Sequence, residues 1–185
     1  RPQSEGGVLE KKGMVEVISS LETDGRVIPY DIRMGVWVTV EAETDYIKNC
    51  FEEYNAHTDP SGRYFTLYKR WHLIGLEVGV SVASVALRHE PTGVATGWHA
   101  DVVATAKRDL QVGDMLDGEG GYTVWGKLLP ADTSRRMGGL PLGLAHDVRV
   151  VRPVKQGQSL SWDDVAMNTD TRAYRLRREM EAAFK

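Results

Sequence analysis

The chain has a single cysteine, no long apolar run and no concentration of charge of either sign. Cys50 alone cannot build a disulfide framework, which excludes a stapled secreted fold. Placed between Ile47 and Phe51 on an apolar helical face, it reads as a buried thiol rather than a reactive one. No apolar stretch approaches the roughly 18 residues that cross a bilayer, and the first residues lack a basic-then-apolar leader. The cytoplasm is therefore the expected location. The 23 basic and 26 acidic residues are spread along the chain and leave a net charge of -3. Nothing in that balance draws nucleic acid or an anionic membrane. An initiator methionine is missing too. The opening Arg1-Pro2-Gln3-Ser4-Glu5-Gly6-Gly7 reads as an internal loop, so a piece of a longer polypeptide is expected.

What remains is an ordinary globular composition, 42% apolar over 185 residues, enough to bury a core in one domain or two small ones. The pattern expected is α+β: a mixed α/β region over residues 1–90, a β-rich domain over 91–167 and a C-terminal helix over 168–185. Val8 to Ile18 mixes apolar and charged residues without a period and fits strand or loop. Arg33 to Val40 is rich in β-branched residues and predicts a strand, with Trp37 and Thr39 on one face and Val36, Val38 and Val40 on the other. Tyr46, Ile47, Cys50, Phe51 and Tyr54 recur at helical spacing behind Thr44, a natural N-cap. The turn Asp59-Pro60-Ser61-Gly62 closes that unit, and Arg63 to Lys69 reads as a second strand. The apolar stretch from Leu73 to Leu87 predicts a buried helix. Pro91 and Gly93 then break the pattern.

Residues 100–166 hold short β-type segments and a weak internal repeat. Lys107 to Leu116 matches Val151 to Leu160 in the order basic, x, aliphatic, two residues, Gly, two residues, Leu. Gly113 and Gly157 fall where the chain must turn tightly and return an aliphatic residue to the core. Ser161-Trp162-Asp163-Asp164-Val165 reads as a capped turn. From Thr169 to Lys185 the spacing predicts a capped helix, with Ala173, Leu176, Met180 and Phe184 as its stripe. Arg172, Arg175, Arg177 and Arg178 form a solvated basic face, or alternatively an anion-binding one.

The densest group of chemistry-bearing residues is Arg63, Tyr64, Tyr68, Lys69, Arg70 and His72. On a strand, Tyr64 and Tyr68 share a face while Lys69 and Arg70 sit near its end. Charged donors of this kind suit a phosphate or carboxylate. His72, with Glu77 downstream, suits acid–base work, or else is structural. Several motifs are ruled out. Gly121 to Lys127 has the spacing of a P-loop as far as its lysine, but Leu128 stands where Ser or Thr must bind magnesium, and Tyr122 to Trp125 are strand formers. Gly118-Glu119-Gly120-Gly121 reads instead as a loop needing positive φ. The five histidines form no metal-binding pair, and no G-x-S-x-G occurs.

The repeat, with Leu140 to Ala145 between its copies, resembles the SAF domain, a β-clip module, over roughly residues 99–166. Ala106 to Leu128 resembles the SAF-containing oxidoreductases described as homoserine-dehydrogenase-like. Gly6-Gly7-Val8-Leu9-Glu10-Lys11 and Leu67 to Leu73 extend the likeness upstream. Within that family the chain is similar to the 1-deoxy-D-xylulose 5-phosphate reductoisomerase-like branch, whose product is 2-C-methyl-D-erythritol 4-phosphate. The resemblance implies an NAD(P)H-dependent enzyme acting on a sugar phosphate or sugar acid, a homodimer, and NADPH bound mainly by an N-terminal Rossmann domain. A divalent metal is a further cofactor it allows. From the donor-rich cluster, His72 and Lys69 are expected as catalytic groups and Arg63, Tyr64, Tyr68 and Arg70 as substrate ligands, with Lys12 of the N-terminal segment either a further substrate ligand or a surface lysine. The chain departs from the family in having no G-x-G-x-x-G. The alternative is a non-catalytic SAF module for carbohydrate binding or oligomerisation, and a lyase accessory domain ranks third.

Overall fold

The computed structural model describes residues 13–15, 26–29, 35–71 and 74–184. The protein is α+β, with small antiparallel sheets and a C-terminal helix. It divides into two compact units, one of residues 1–12 and 16–94, the other of 13–15 and 95–185.

The first unit is built on a hairpin of β1 (Val36–Glu41) and β2 (Tyr64–Lys69), joined through helix α1 (Asp45–Glu53). The strands are antiparallel, with Trp37 opposite Tyr68, Thr39 opposite Thr66 and Glu41 opposite Tyr64. Because side chains alternate across a strand, Trp37, Thr39, Glu41, Tyr64, Thr66 and Tyr68 share one face, and the valines share the other. Thr44 caps α1 as expected, its hydroxyl accepting from the Ile47 amide at 3.3 Å. Phe51 of α1 meets Phe65 of β2 with ring centroids 5.5 Å apart. Cys50 is half-buried rather than enclosed. Asp59 organises the turn before β2 by accepting from the Ser61 amide at 3.1 Å and the Tyr64 amide at 3.0 Å. Desolvation raises the Asp59 carboxyl, but these hydrogen bonds outweigh it and hold the group below its ordinary value.

Helix α2 (Ile74–Ala83) runs on into a π-helical turn at Ser84–Arg88 and ends at His89 in the left-handed conformation. The expectation of a buried helix here is corrected. Leu76 is 77% exposed and Leu87 80%, and Val78, Val80, Val82 and Val85 are all more than half exposed. A run apolar on every side cannot be sorted into faces by its pattern, so hydrophobicity alone did not reveal what covers it. Ser84 is buried, donating to the Glu90 carbonyl at 2.9 Å. Val8 to Lys12 and Glu16 to Ile18 lie outside the described residues.

The second unit carries the larger core. Strand β3 (Ala100–Ala106) pairs antiparallel with β5 (Val124–Pro130), and β6 (His146–Val150) lies between β4 (Met115–Asp117) and β7 (Val165–Ala166). Ala104, Ala106, Leu110, Leu116, Val124, Leu140, Ala145, Val148, Val150, Val154, Leu160 and Val165 close together in one cluster. The two copies of the sequence repeat are related by an approximate two-fold. Leu110 and Val154 exchange backbone hydrogen bonds at 2.8 and 3.1 Å. The Gly113 amide reaches the Val150 carbonyl and the Gly157 amide the Ala106 carbonyl, each at 2.9 Å. Gly113 and Gly157 have φ of +98° and +80°, as their turns require.

The segment rejected as a P-loop lies mostly in β5, and Gly118 and Gly120 before it have positive φ. Asp117 holds that loop by accepting from the amides of Tyr122 at 2.6 Å and Thr123 at 3.0 Å and from the Thr123 hydroxyl. Desolvation pushes its carboxyl up, yet the three donors win and bring it down to about 2.

Helix α3 (Ala131–Met137) follows β5 directly and ends at Gly138 in the left-handed conformation. Ser161 to Asp164 form a capping box around a 3-10 turn at Trp162–Asp164, matching the capped turn expected there. Helix α4 (Arg172–Ala183) starts behind Thr171, whose hydroxyl accepts from the Tyr174 amide at 3.2 Å. Its facing is rotated from the expected stripe. Leu176 is 52% exposed, whereas Arg177 is turned inward with only 13% of its side chain exposed. The expected basic face is therefore not wholly solvated. Arg177 grips the buried carboxylate of Asp101 on β3 with two nitrogens at 2.5 and 3.0 Å, and Ser134 of α3 donates to the same carboxylate at 2.5 Å. Burial alone would lower the Arg177 guanidinium, but its bonds to Asp101 and Glu181 hold it above its ordinary value. A buried carboxylate must be paired, and that requirement decides which face of α4 turns in.

Candidate functional site

The group between Arg63 and His72 lies at the β2 end of the hairpin, and its members go to different places. Arg63 donates to the Ala42 carbonyl at 3.2 Å and to Asp45 at 2.8 Å, tying β2 to the first turn of α1. Tyr64 and Tyr68 share a face, as alternation demands. The Tyr64 hydroxyl donates to Glu41 at 3.3 Å, directly across the hairpin. Between the tyrosines, the hydroxyls of Thr39 and Thr66 lie 3.0 Å apart. The Tyr68 ring covers Gly35, where a Cβ would fall 2.3 Å from it. One face of the sheet therefore carries two phenols, two hydroxyls, a carboxylate and the Trp37 indole.

Lys69 sits on the opposite face and pairs with Glu77 of α2. Arg70, just past the strand, lays its guanidinium over the Trp71 ring at 5.1 Å. His72 and Lys12 lie outside the described residues. The strand thus brings Tyr64 and Tyr68 together, sends Lys69 to the other side and gives Arg63 a tying role.

Two pairings were missed by sequence reasoning. Glu41 became the Tyr64 acceptor through the register, which the residues from Glu41 to Arg63 fix and no local motif signals. Glu77, named from the sequence beside His72, pairs with Lys69, eight positions before it. A cleft of about 370 Å³ lined by Lys48, Glu52, Asn55 and the Asp59 turn lies in the same unit, and none of the candidate residues lines it. Among the described residues no group of three or more His, Cys, Asp or Glu side chains could hold a metal ion. No helix of the described residues is long and apolar enough to cross a membrane.

The hairpin, α1 and the start of α2 fall inside a stretch with a known counterpart. Residues 1–78 match the family model described as oxidoreductase DRL, catalytic domain. The match covers less than half of the chain and supports an oxidoreductase family. The comparison with curated proteins gives no match.

Proposed function

We propose that the chain is the C-terminal part of an NAD(P)H-dependent oxidoreductase acting on a sugar phosphate or sugar acid. Conversion of 1-deoxy-D-xylulose 5-phosphate to 2-C-methyl-D-erythritol 4-phosphate is the reaction its sequence resemblance favours. The observation that carries the oxidoreductase reading is the catalytic-domain match over residues 1–78.

In this reading the hydroxyl-rich face of the hairpin meets a polyhydroxylated substrate. Tyr64 and Tyr68 bind its hydroxyls, and Arg70 and Lys12 neutralise its phosphate or carboxylate. Arg63 supports that face by tying β2 to α1, and His72 moves protons, while Lys69, held on the opposite face by Glu77, fixes the end of the strand. The described residues do not fit a dinucleotide. All their paired strands are antiparallel, and no glycine-rich strand-to-helix turn occurs among them. NADPH is proposed to be bound mainly by a domain outside this chain. A divalent metal finds no ligand cluster among the described residues either. The protein is proposed to be a cytoplasmic homodimer.

For the second unit we propose a SAF-type β-clip. The interlocked two-fold of its repeat supports that reading, and carbohydrate binding or oligomerisation without chemistry is the alternative function.

The test is loss of reduced-nicotinamide absorbance with the natural full-length polypeptide and 1-deoxy-D-xylulose 5-phosphate, followed by a panel of sugar acids. Turnover is expected, and His72→Asn should lower kcat/KM by about 100-fold. No nicotinamide-dependent turnover with any of these substrates would refute the reading.

A further inference from the structure

We propose that the second unit holds a binding site for a small organic oxyanion, a carboxylate or phosphate ester, in the cleft between α3, the capped turn at Ser161 and α4. This site is independent of the oxidoreductase reading. It lies wholly within one unit and shares no residue with the hairpin.

The cleft encloses about 630 Å³, inside the roughly 300–1,000 Å³ typical of small-molecule sites. Arg135 and Arg178 stand on its walls, and Met137, Trp162 and Ala182 supply apolar surface. Two carboxylates, Asp163 and Glu181, also border it. Glu181 accepts from Arg177 at 2.8 Å and from Arg178 at 2.5 Å, and with Asp101 these make a balanced group of two guanidiniums and two carboxylates. Asp163 lies 3.5 Å from Arg152, outside the cleft. The lining charges balance, so what the cleft offers an oxyanion is the unused guanidinium donors of Arg135 and Arg178.

Arg135 has only Asp132, at 3.8 Å, too far for a hydrogen bond. Arg178 gives one nitrogen to Glu181 and rests on the Trp162 ring at 5.5 Å. A guanidinium has five donors in a planar fork, so both arginines keep donors for an oxyanion. Arg178 is also held in place. Trp162 packs edge-on against Tyr174 with centroids 5.5 Å apart, and Glu181 is fixed through Arg177 to the buried Asp101. A site whose cation is immobilised before the ligand arrives loses less entropy on binding. The indole and Met137 suit the carbon body of the ligand rather than a bare inorganic ion.

The test uses the 185-residue chain, with gluconate, glucose 6-phosphate and neutral glucose as probes. Binding is read from the Trp162 indole N–H and the Gly138 amide in nitrogen–proton correlation spectra. Saturable shifts with gluconate, glucose 6-phosphate or both, and none with glucose, are expected; which anion acts identifies the headgroup. Arg135→Gln should weaken binding about tenfold while leaving the spectrum of the free protein dispersed. Arg178→Gln should weaken it at least as much, and Arg175→Gln, on the exposed side of α4, should not. The site is overturned if neither anion shifts those resonances, if glucose shifts them equally, or if Arg135→Gln leaves the midpoint unchanged.

Discussion

Asp101 has little access to water and three charge-assisted or hydroxyl donors around it, so its loss leaves the half-buried Arg177 guanidinium with Glu181 as its remaining carboxylate partner. Asp101→Ala should lower the free energy of unfolding by about 3–5 kcal/mol, seen as a lower denaturant midpoint at unchanged slope. Pairing it with Arg177→Met should recover part of that loss, because the second change removes donors left without the Asp101 carboxylate. Asp117 acts through pH. Its folded carboxyl sits at about 2 against an ordinary 3.8, so it binds protons less readily when folded. Its stabilisation is full above about pH 4 and disappears as pH falls through about 2. The gap between wild type and Asp117→Ala should be about 1–2 kcal/mol at neutral pH, allowing for solvent screening. Urea melts across acid pH should show the gap closing. At this scale the sequence was partly legible. Thr44, Gly113, Gly157 and the Ser161 box announce themselves because caps and left-handed turns depend on a residue and its near neighbours. Arg177 did not, because its partner lies 76 positions away.

At the level of elements, alternation gave both strands of the hairpin and their faces, since a two-residue period survives without knowledge of the partner. Helix α2 shows where such reasoning stops. Its apolar character is plain, while its burial depends on what surrounds it. With Leu87 80% exposed, Leu87→Ser should change the stability of this chain by less than about 0.5 kcal/mol and reduce its light scattering. Helix α4 is legible as a helix, but its stripe is displaced by one position because an ion pair outweighed Leu176 in choosing the inward side. The candidate residues on β2 were correctly strung along a strand. Alternation put Tyr64 and Tyr68 on one side, as expected, whereas the pairing of Lys69 with Glu77 on the other depends on helix α2.

Across the molecule, buried apolar residues concentrate in the second unit, whereas Ala42 is the one buried apolar residue of the first among those described. A polypeptide of residues 95–185 should therefore fold alone, with a cooperative thermal transition by circular dichroism. Within it, Gly113→Ala and Gly157→Ala should each cost about 1–3 kcal/mol in thermal melts, because each forces a side chain into a left-handed turn. Their near-equivalence has a further meaning. Each copy of the repeat completes its ladder with groups supplied by the other, so neither can close on its own. A peptide carrying one copy would find its missing partners in an identical peptide, and the domain can be regarded as such a pair whose members were joined end to end.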